Sequence, residues 1–391
     1  ETYLKHAKIK GSGLLEIHTG AGKTVMGLNI IASLKKKTLI IVHKEFLLRQ
    51  WKERIEQFLP DARVGKIQGP TIDIEDKDIV IGMLQSLSIK DYDINMFSCF
   101  GLTIVDEVHH ISAEVFSRVL FKVVTKYYLG LSATMKRTDG LTKVIKMFMG
   151  EVVYKKERKG ENDVTVKAIH YETQDENFNE ISIDWRGNIK YSTMMKKLCE
   201  FNPRREFILN VLEDTLKKGD MKQQIMILAH NKSILTYIHD AIKHRGLATV
   251  GYYVGGMKEI ELKKSEGKKV IIATYAMAEE GLDIKTLNTL IMASPKVNIT
   301  QAVGRILRSK EHKALVIDIV DQHGIFQRQY KKRKALYKKQ KFKLLEATME
   351  GYDNNEWQTL LTNIKGGKKS SKKTGKKNEF EQGKCMLDLN Y

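Results

Sequence analysis

Short apolar runs bounded by polar turns recur along the first part of the chain, at 14–17 (LLEI), 38–43 (TLIIVH), 78–82 (DIVIG), 102–107 (LTIVDE) and 127–132 (YYLGLS). Each predicts a buried strand. Helical patterns separate several of them. Over 44–60, Leu47, Leu48, Trp51, Ile55, Phe58 and Leu59 recur at spacings of three and four, Glu45 and Arg49 form an i,i+4 pair, and Pro60 ends the run. Ser112 can cap the next helix, whose Val115, Val119, Leu120 and Val123 face one side. Buried strands alternating with amphipathic helices predict an α/β domain with a parallel sheet covered on both faces.

The texture changes from Glu151 to about Pro203, where charge and an alternating VTVKAIHYE (164–172) replace any strong helical pattern, and this stretch reads as linker plus insertion. The strand–helix rhythm then resumes. A helix over 205–219 ends at Gly219, a strand covers 224–229, a helix runs from Asn231 to Gly246, and further buried strands follow at 249–254, 269–274, 289–293 and 314–320. The expected organisation is a first domain over 1–152, a linker or insertion over 153–203 and a second α/β domain over 204–325. A basic helical extension over 326–362 and a Lys-rich, disordered tail over 363–391 complete it. A cleft between the two domains is expected.

Composition narrows the class. The chain has 391 residues with 42% hydrophobic content, enough for two or three domains, and no apolar run approaches the roughly 20 residues of a membrane span. Cys99, Cys199 and Cys385 are far apart and form no C-x-x-C pair, so neither a disulfide framework nor a cysteine zinc site is expected. An intracellular location follows, nuclear or cytoplasmic, or the host cytoplasm or virion for a viral protein. The start at Glu1 lacks an initiator methionine and a secretory h-region, and reads as a fragment with sequence missing upstream. A formal charge of +20, from 67 Lys+Arg against 47 Asp+Glu, points to nucleic acid as partner. Part of that excess lies at 365–377 (KGGKKSSKKTGKK), either solubilising disorder or a nuclear-import or phosphate-clinging arm. The basic run 328–345, with Ala335, Leu336, Phe342, Leu344 and Leu345, is either a surface helix packed back on the second domain or a helix adding phosphate contacts.

Candidate chemistry starts at 18–24 (HTGAGKT), which departs from the phosphate-loop pattern in having Ile17 where the first glycine belongs. A β-branched residue there becomes the last residue of the feeding strand. Gly20 and Gly22 permit a tight turn whose N–H groups converge on an anion, and Lys23 and Thr24 open a helix whose dipole favours phosphate. Lys23 would neutralise the outer phosphates and Thr24 would bind Mg²⁺. An apolar strand delivers Asp106 where Mg²⁺ sits, with Glu107 beside it to polarise water; the bland alternative is a surface acid pair ending a strand. His109 and His110 match no zinc spacing. Arg305 and Arg308, one helical turn apart, are either candidate arginine fingers or a solvated face.

The runs HTGAGKT, IVHKEFLLRQW, DEVHH, LSATMKRTDG, ILAHNKS, ATYAMAEEGLDI and QAVGRILR occur in the order of motifs I, Ia, II, III, IV, V and VI of superfamily 2 helicases. The chain therefore resembles that family from about Gly13 to about Asp321. Its D-E-x-H form, with QW in motif Ia, is most similar to the XPB and phage UvsW branch of DNA helicases, and several stretches are also similar to helicases of large cytoplasmic DNA viruses. The resemblance implies two tandem RecA-like domains, each a mostly parallel sheet with helices on both faces, and an ATP cleft between them. It implies that Thr19, Gly20, Ala21, Gly22, Lys23 and Thr24 bind ATP phosphates, that Asp106 and Glu107 manage Mg²⁺ and water, and that His109 contacts Gln301 to report nucleotide state. Ser132 and Thr134 would couple the domains. Gly281 and Asp283 would lie around the nucleotide, while His43, Lys44, Gln85, Ser86, His230 and Thr274 would meet nucleic acid. The departures are Ile17 and His18 in motif I, and no adenine-reading glutamine is identifiable upstream.

The resulting expectation is a monomeric ATP-dependent helicase or translocase, acting on DNA rather than RNA, with partners in transcription, repair or recombination. The alternative is a nucleotide-gated clamp or annealing protein that does not unwind processively. A transporter-type ATPase lacks its L-S-G-G-Q-like signature here. A non-enzymatic basic module would leave the linked Lys23, Asp106, Glu107 and Arg308 set unexplained.

Overall fold

A computed structural model of the chain describes residues 1–18, 21–133, 135, 142–156, 164–220, 222–280, 284, 286–306 and 313–361, apart from the side chains of Ile94, His110, Ala113, Glu279, Glu280, Arg305, Ile306 and Leu361. Among the described residues, the first sheet comprises β1 (Ser12–Ile17), β2 (Thr38–Val42), β3 (Val64–Gln68), β4 (Thr71–Ile72), β5 (Ile79–Met83), β6 (Leu102–Asp106), β7 (Tyr127–Ser132) and β8 (Val152–Lys156). Their spatial order is β4-β3-β5-β2-β6-β7-β1-β8, parallel except for β4. Each predicted run forms its strand, because residues apolar at every position need cover on both faces. In β2 the pleat sends Leu39 and Ile41 into one core cluster and Ile40 and Val42 into the other. The amphipathic helix Glu45–Phe58 buries Leu47, Leu48, Trp51 and Ile55 against one face.

The second sheet comprises β9 (Val164–Tyr171), β10 (Ile225–Ala229), β11 (Val250–Tyr253), β12 (Val270–Thr274), β13 (Thr289–Met292), β14 (Ala314–Asp321), β15 (Lys343–Thr348) and β16 (Gln358–Leu361). Its order is β11-β12-β10-β13-β14-β9-β15-β16, parallel except for β16. The chain thus forms two tandem RecA-like domains, as the resemblance implies.

Three expectations change. The segment 153–203 is more than a linker: β8 joins the first sheet, β9 is inserted between β14 and β15, and helix Tyr191–Glu200 buries Met194, Met195, Leu198 and Cys199 in the second core. The stretch 326–362 is only partly helical, since β15 and β16 follow helix Gly324–Lys339 and extend the second sheet. Ser112 and Gly219 stand at helix ends without the expected capping geometry: the Ser112 side chain makes no cap bond and Gly219 is extended, with φ −82°. The tail 363–391 lies outside the described residues.

The basic run closes back on the second domain. Helix Gly324–Lys339 turns Phe326, Tyr330, Arg333 and Tyr337 inward. Arg333, 1% exposed, forks onto Asp318 at 2.8 and 2.9 Å and donates to the Lys296 carbonyl at 2.8 Å, while the Tyr337 hydroxyl donates to Asp318 at 2.8 Å. Arg204 repeats the design, forking onto buried Asp321 at 2.5 and 2.9 Å and donating to the Ala293 carbonyl at 2.8 Å. Removing one member strands the other charge in the core. Arg333→Met is expected to destabilise the second domain by about 3–5 kcal/mol in urea unfolding, and Arg333→Met with Asp318→Leu to recover most of that loss.

Candidate functional site at the edge of the first sheet

Parallel sheets bring their functional loops together beyond the carboxyl ends of the strands. Beyond β1, Ile17 is fully buried as the strand's last residue, and the Ala21 N–H reaches the His18 carbonyl at 3.2 Å. Gly22 adopts φ 83°, the left-handed region, directly before helix Lys23–Leu34. A Cβ there meets no atom within 4 Å, so glycine is favoured by backbone conformation and not by space. Lys23 is the first helical residue and pairs with Glu107; Thr24 follows it, half-buried. Thr19 and Gly20 lie outside the described residues.

The fully buried strand β6 ends in Asp106, 6% exposed. Burial pushes its carboxyl up to about 6, and the neighbouring Glu107 adds to the rise; Lys23 and the Trp51 indole oppose it. Trp51 Nε1 donates to Asp106 Oδ2 at 2.9 Å, while the Glu107 N–H donates to Oδ1 at 2.9 Å. Gly27 makes room for this indole: a Cβ there would lie 2.8 Å from the Trp51 ring. Glu107 itself has φ 49° and ψ 49°, a left-handed conformation costly for a non-glycine residue, which turns its side chain back towards Lys23.

His109 relays this cluster outward. Its Nδ1 lies 2.8 Å from Ser132 Oγ at the end of β7 and 3.3 Å from Glu107 Oε2, and its Nε2 lies 3.2 Å from Gln301 Nε2 in the second domain. One tautomer satisfies both hydrogen bonds: Nδ1–H donates to Ser132 Oγ, with Glu107 Oε2 beside it, and Nε2 accepts from the Gln301 amide. Two further cross-domain pairs, Arg49 with Glu259 at 3.7 Å and Lys263 with Glu53 at 4.0 Å, join exposed or half-exposed side chains and contribute little orientation.

The remaining predicted residues divide by placement. Gln85 Nε2 donates to the His43 carbonyl at 2.8 Å, and Ser86 Oγ accepts from the Gly69 N–H at 2.9 Å, so both brace loops at the strand edge. His43 is buried and Lys44 stands at the N-cap position of helix Glu45–Phe58 without a side-chain cap bond. In the second domain Thr274 ends β12, and His230 follows β10, its backbone N–H donating to Ser294 Oγ at 3.0 Å and its ring packed 4.8 Å from that of Tyr275. The backbone of Arg305 belongs to helix Thr300–Ile306, but its side chain lies outside the described residues, as do Thr134, Gly281, Asp283 and Arg308. Ser294 is a site residue the motifs do not single out, and the motifs give Trp51, the tryptophan of the QW in motif Ia, no role at Asp106. Trp51 carries the only local signal, since an indole on a buried helix face requires an acceptor.

The oxygen donors of Thr24 and Asp106 suit a hard divalent cation, and the buried, partly compensated carboxylate suits one with incomplete protein ligation. A hydrogen bond to an ionised carboxylate lowers its pKa, so losing it raises the pKa. Trp51→Phe, which keeps the bulk and removes the donor, is expected to raise the Asp106 pKa of the metal-free protein by about one to two units, read by carboxyl NMR titration, on the ~1.5–3 kcal/mol of a hydrogen bond to a charged group.

Comparison with known proteins agrees with this arrangement. Residues 2–137 match the family described as type III restriction enzyme, res subunit, and residues 206–310 match the helicase conserved C-terminal domain. A protein of Acanthamoeba polyphaga mimivirus named "Putative ATP-dependent RNA helicase" is 36% identical over 349 residues, covering 85% of this chain and 65% of its own length. An African swine fever virus protein carrying the same description is 25% identical, with 88% of this chain and 73% of its own length covered. Among solved structures, S. cerevisiae Dbp5 bound to RNA shares the fold with a TM-score of 0.60 at 12% identity, over 88% of each chain. The two family matches in tandem, one on each parallel sheet, and these viral relatives support a superfamily 2 helicase related to those of large DNA viruses.

Proposed function

We propose that the protein is a nucleic-acid-dependent ATPase that uses hydrolysis to move along or remodel nucleic acid. The observation that carries this reading is the continuous polar path Lys23–Glu107–His109–Gln301, which runs from the phosphate loop of the first domain into the second. The γ-phosphate of ATP would compete with Glu107 for the Lys23 ammonium. Glu107, relieved of its partner, would then be the base that orients and deprotonates water. Thr24 and Asp106 would hold Mg²⁺, which when bound neutralises charge on the transferring phosphoryl group. Arg305 and Arg308 are assigned the fingers that complete the site when the domains close, and Thr19, Gly20 and Asp283 the remaining nucleotide contacts. Because Gln301 reads His109 and His109 reads Glu107, a change at the phosphates alters the affinity of one domain for the other.

DNA is the proposed track, on the resemblance to the XPB and UvsW branch. The descriptions carried by the viral relatives favour RNA as the second reading. His43 and Lys44, which follow β2 in the first sheet, and His230 and Thr274, at the carboxyl ends of β10 and β12 in the second, are assigned to its backbone. Transcription, repair or recombination machinery is the proposed setting, in the nucleus or cytoplasm.

ATP hydrolysis measured with single-stranded, duplex and branched DNA and with RNA tests both levels. Stimulation by a nucleic acid is expected, with Lys23→Ala, Glu107→Gln and Arg308→Ala each lowering the stimulated rate, the last by on the order of 10³. Near-wild-type turnover in all three variants would exclude the assignment, and stimulation by RNA alone would replace DNA.

A further inference from the structure

After β9 the chain leaves the carboxyl edge of the second sheet and returns to it at helix Tyr191–Glu200, and both ends of the excursion are fixed. The Thr173 N–H donates to Gln322 Oε1 at 2.8 Å, and Gln322 Nε2 donates to the Thr173 carbonyl at 3.1 Å. Phe178 is buried between the rings of Phe201 and His323, at 4.5 and 4.8 Å. Lys197 Nζ donates to the carbonyls of Asn177 and Glu180 at 2.7 and 2.8 Å. Beyond Glu180 stands a short hairpin. Ile183 pairs antiparallel with Ile189, and Asp184 Oδ1 accepts the N–H groups of Arg186 and Asn188, each at 2.8 Å. Gly187 makes the turn at φ 80°.

This braced hairpin presents three large apolar residues to solvent. Ile181, Ile183 and Trp185 are 51%, 57% and 85% exposed. An isolated exposed isoleucine needs no explanation, but a tryptophan in the turn at the tip of a braced hairpin, with two exposed isoleucines in the four residues before it, marks a contact surface. Its surroundings carry both signs of charge: Glu172, Asp175, Glu176 and Glu180 are exposed on the stretch leading into the hairpin, and basic groups flank its tip and foot. The Arg186 guanidinium lies 4.2 Å from the centre of the Trp185 ring. Tyr191, at the hairpin's foot, accepts from Gln329 at 3.2 Å and packs 6.2 Å from Phe326, which places the foot against helix Gly324–Lys339; that helix exposes Arg328, Lys331 and Lys332. The hairpin rises from the strand edge that also carries His230 and Thr274.

We propose that the Trp185 hairpin is a stacking platform for an unpaired base of single-stranded nucleic acid, with Arg186 and the exposed basic face of helix Gly324–Lys339 holding the adjoining phosphates. The ring supplies the flat contact that any base accepts, and Arg186 at the ring with Arg328, Lys331 and Lys332 on the neighbouring helix supplies cations for the adjoining phosphates, while the acids before the hairpin keep the backbone to that side. This extends the nucleic-acid motor reading and rests on it.

The test uses the full chain and fluorescence anisotropy with labelled single-stranded DNA, single-stranded RNA and duplex DNA at fixed salt. Trp185→Ala is expected to weaken single-strand binding about 5- to 150-fold while Trp185→Phe stays close to wild type, as expected for one stacked base. Duplex affinity, the melting temperature and unstimulated ATP hydrolysis should not change. Wild-type affinity of Trp185→Ala for single strands, with wild-type binding readily measured, would overturn the platform and leave the motor reading intact. A wild-type dimer in sedimentation that Trp185→Ala converts to monomer, with single-strand affinity unchanged, would also overturn it in favour of a contact between copies. No nucleic-acid binding by the wild type would remove the motor reading itself.

Discussion

A strand buried on both faces that must end in charge is the constraint around which the first domain is arranged. The apolar residues of β6 carry Asp106 into a site where burial, with the charge of Glu107 beside it, holds its carboxyl up at about 6, and the other neighbours answer that cost. Trp51 donates from one helix, Lys23 opposes the charge from another, and Glu107 is turned back through a left-handed conformation to meet Lys23. Gly27 exists as glycine because the indole that serves Asp106 occupies the space a side chain would need. The site is thus held by groups that belong to the core as much as to the chemistry.

The same logic operates in the second domain with charges reversed in sign. Arg204 and Arg333 are buried cations, each forked onto an aspartate of β14 and completed by a backbone carbonyl. Ala293 directly follows β13, so the Arg204 pair also fixes the chain end from which Ser294 braces His230. Rigidity at the strand edge matters for any motor: a movement of one domain relative to the other does work only if the groups sensing ATP do not give way locally.

The sequence made the frame legible where the signal is local. Continuous apolar runs gave β2, β6, β10 and β14, and Ile17 announced the end of β1 in place of a glycine. What stayed hidden is what the chain joins over long separations. The alternation in β9 is plain, yet its partners β14 and β15 lie well over a hundred residues later, so nothing local shows that it belongs to the second sheet. Met194, Met195, Leu198 and Cys199 form a helical stripe obscured by flanking charge. Arg333 sits in a run of lysines and arginines whose charge pattern implies solvent, and only its i,i+4 and i,i+7 relation to Tyr337 and Phe326 hints otherwise. For Trp51 the core face was readable, whereas its acceptor, fifty-five residues away, was not.

The central claim is that the contact between His109 and Gln301 transmits the state of the phosphate site from one domain to the other. A double-mutant cycle of His109→Ala and Gln301→Ala, read out as nucleic-acid-stimulated ATP hydrolysis, tests it most directly. The account predicts a coupling of about 0.5–3 kcal/mol between the two positions, with the double variant little worse than either single one. Strictly additive effects would show that the two residues act independently and would contradict it.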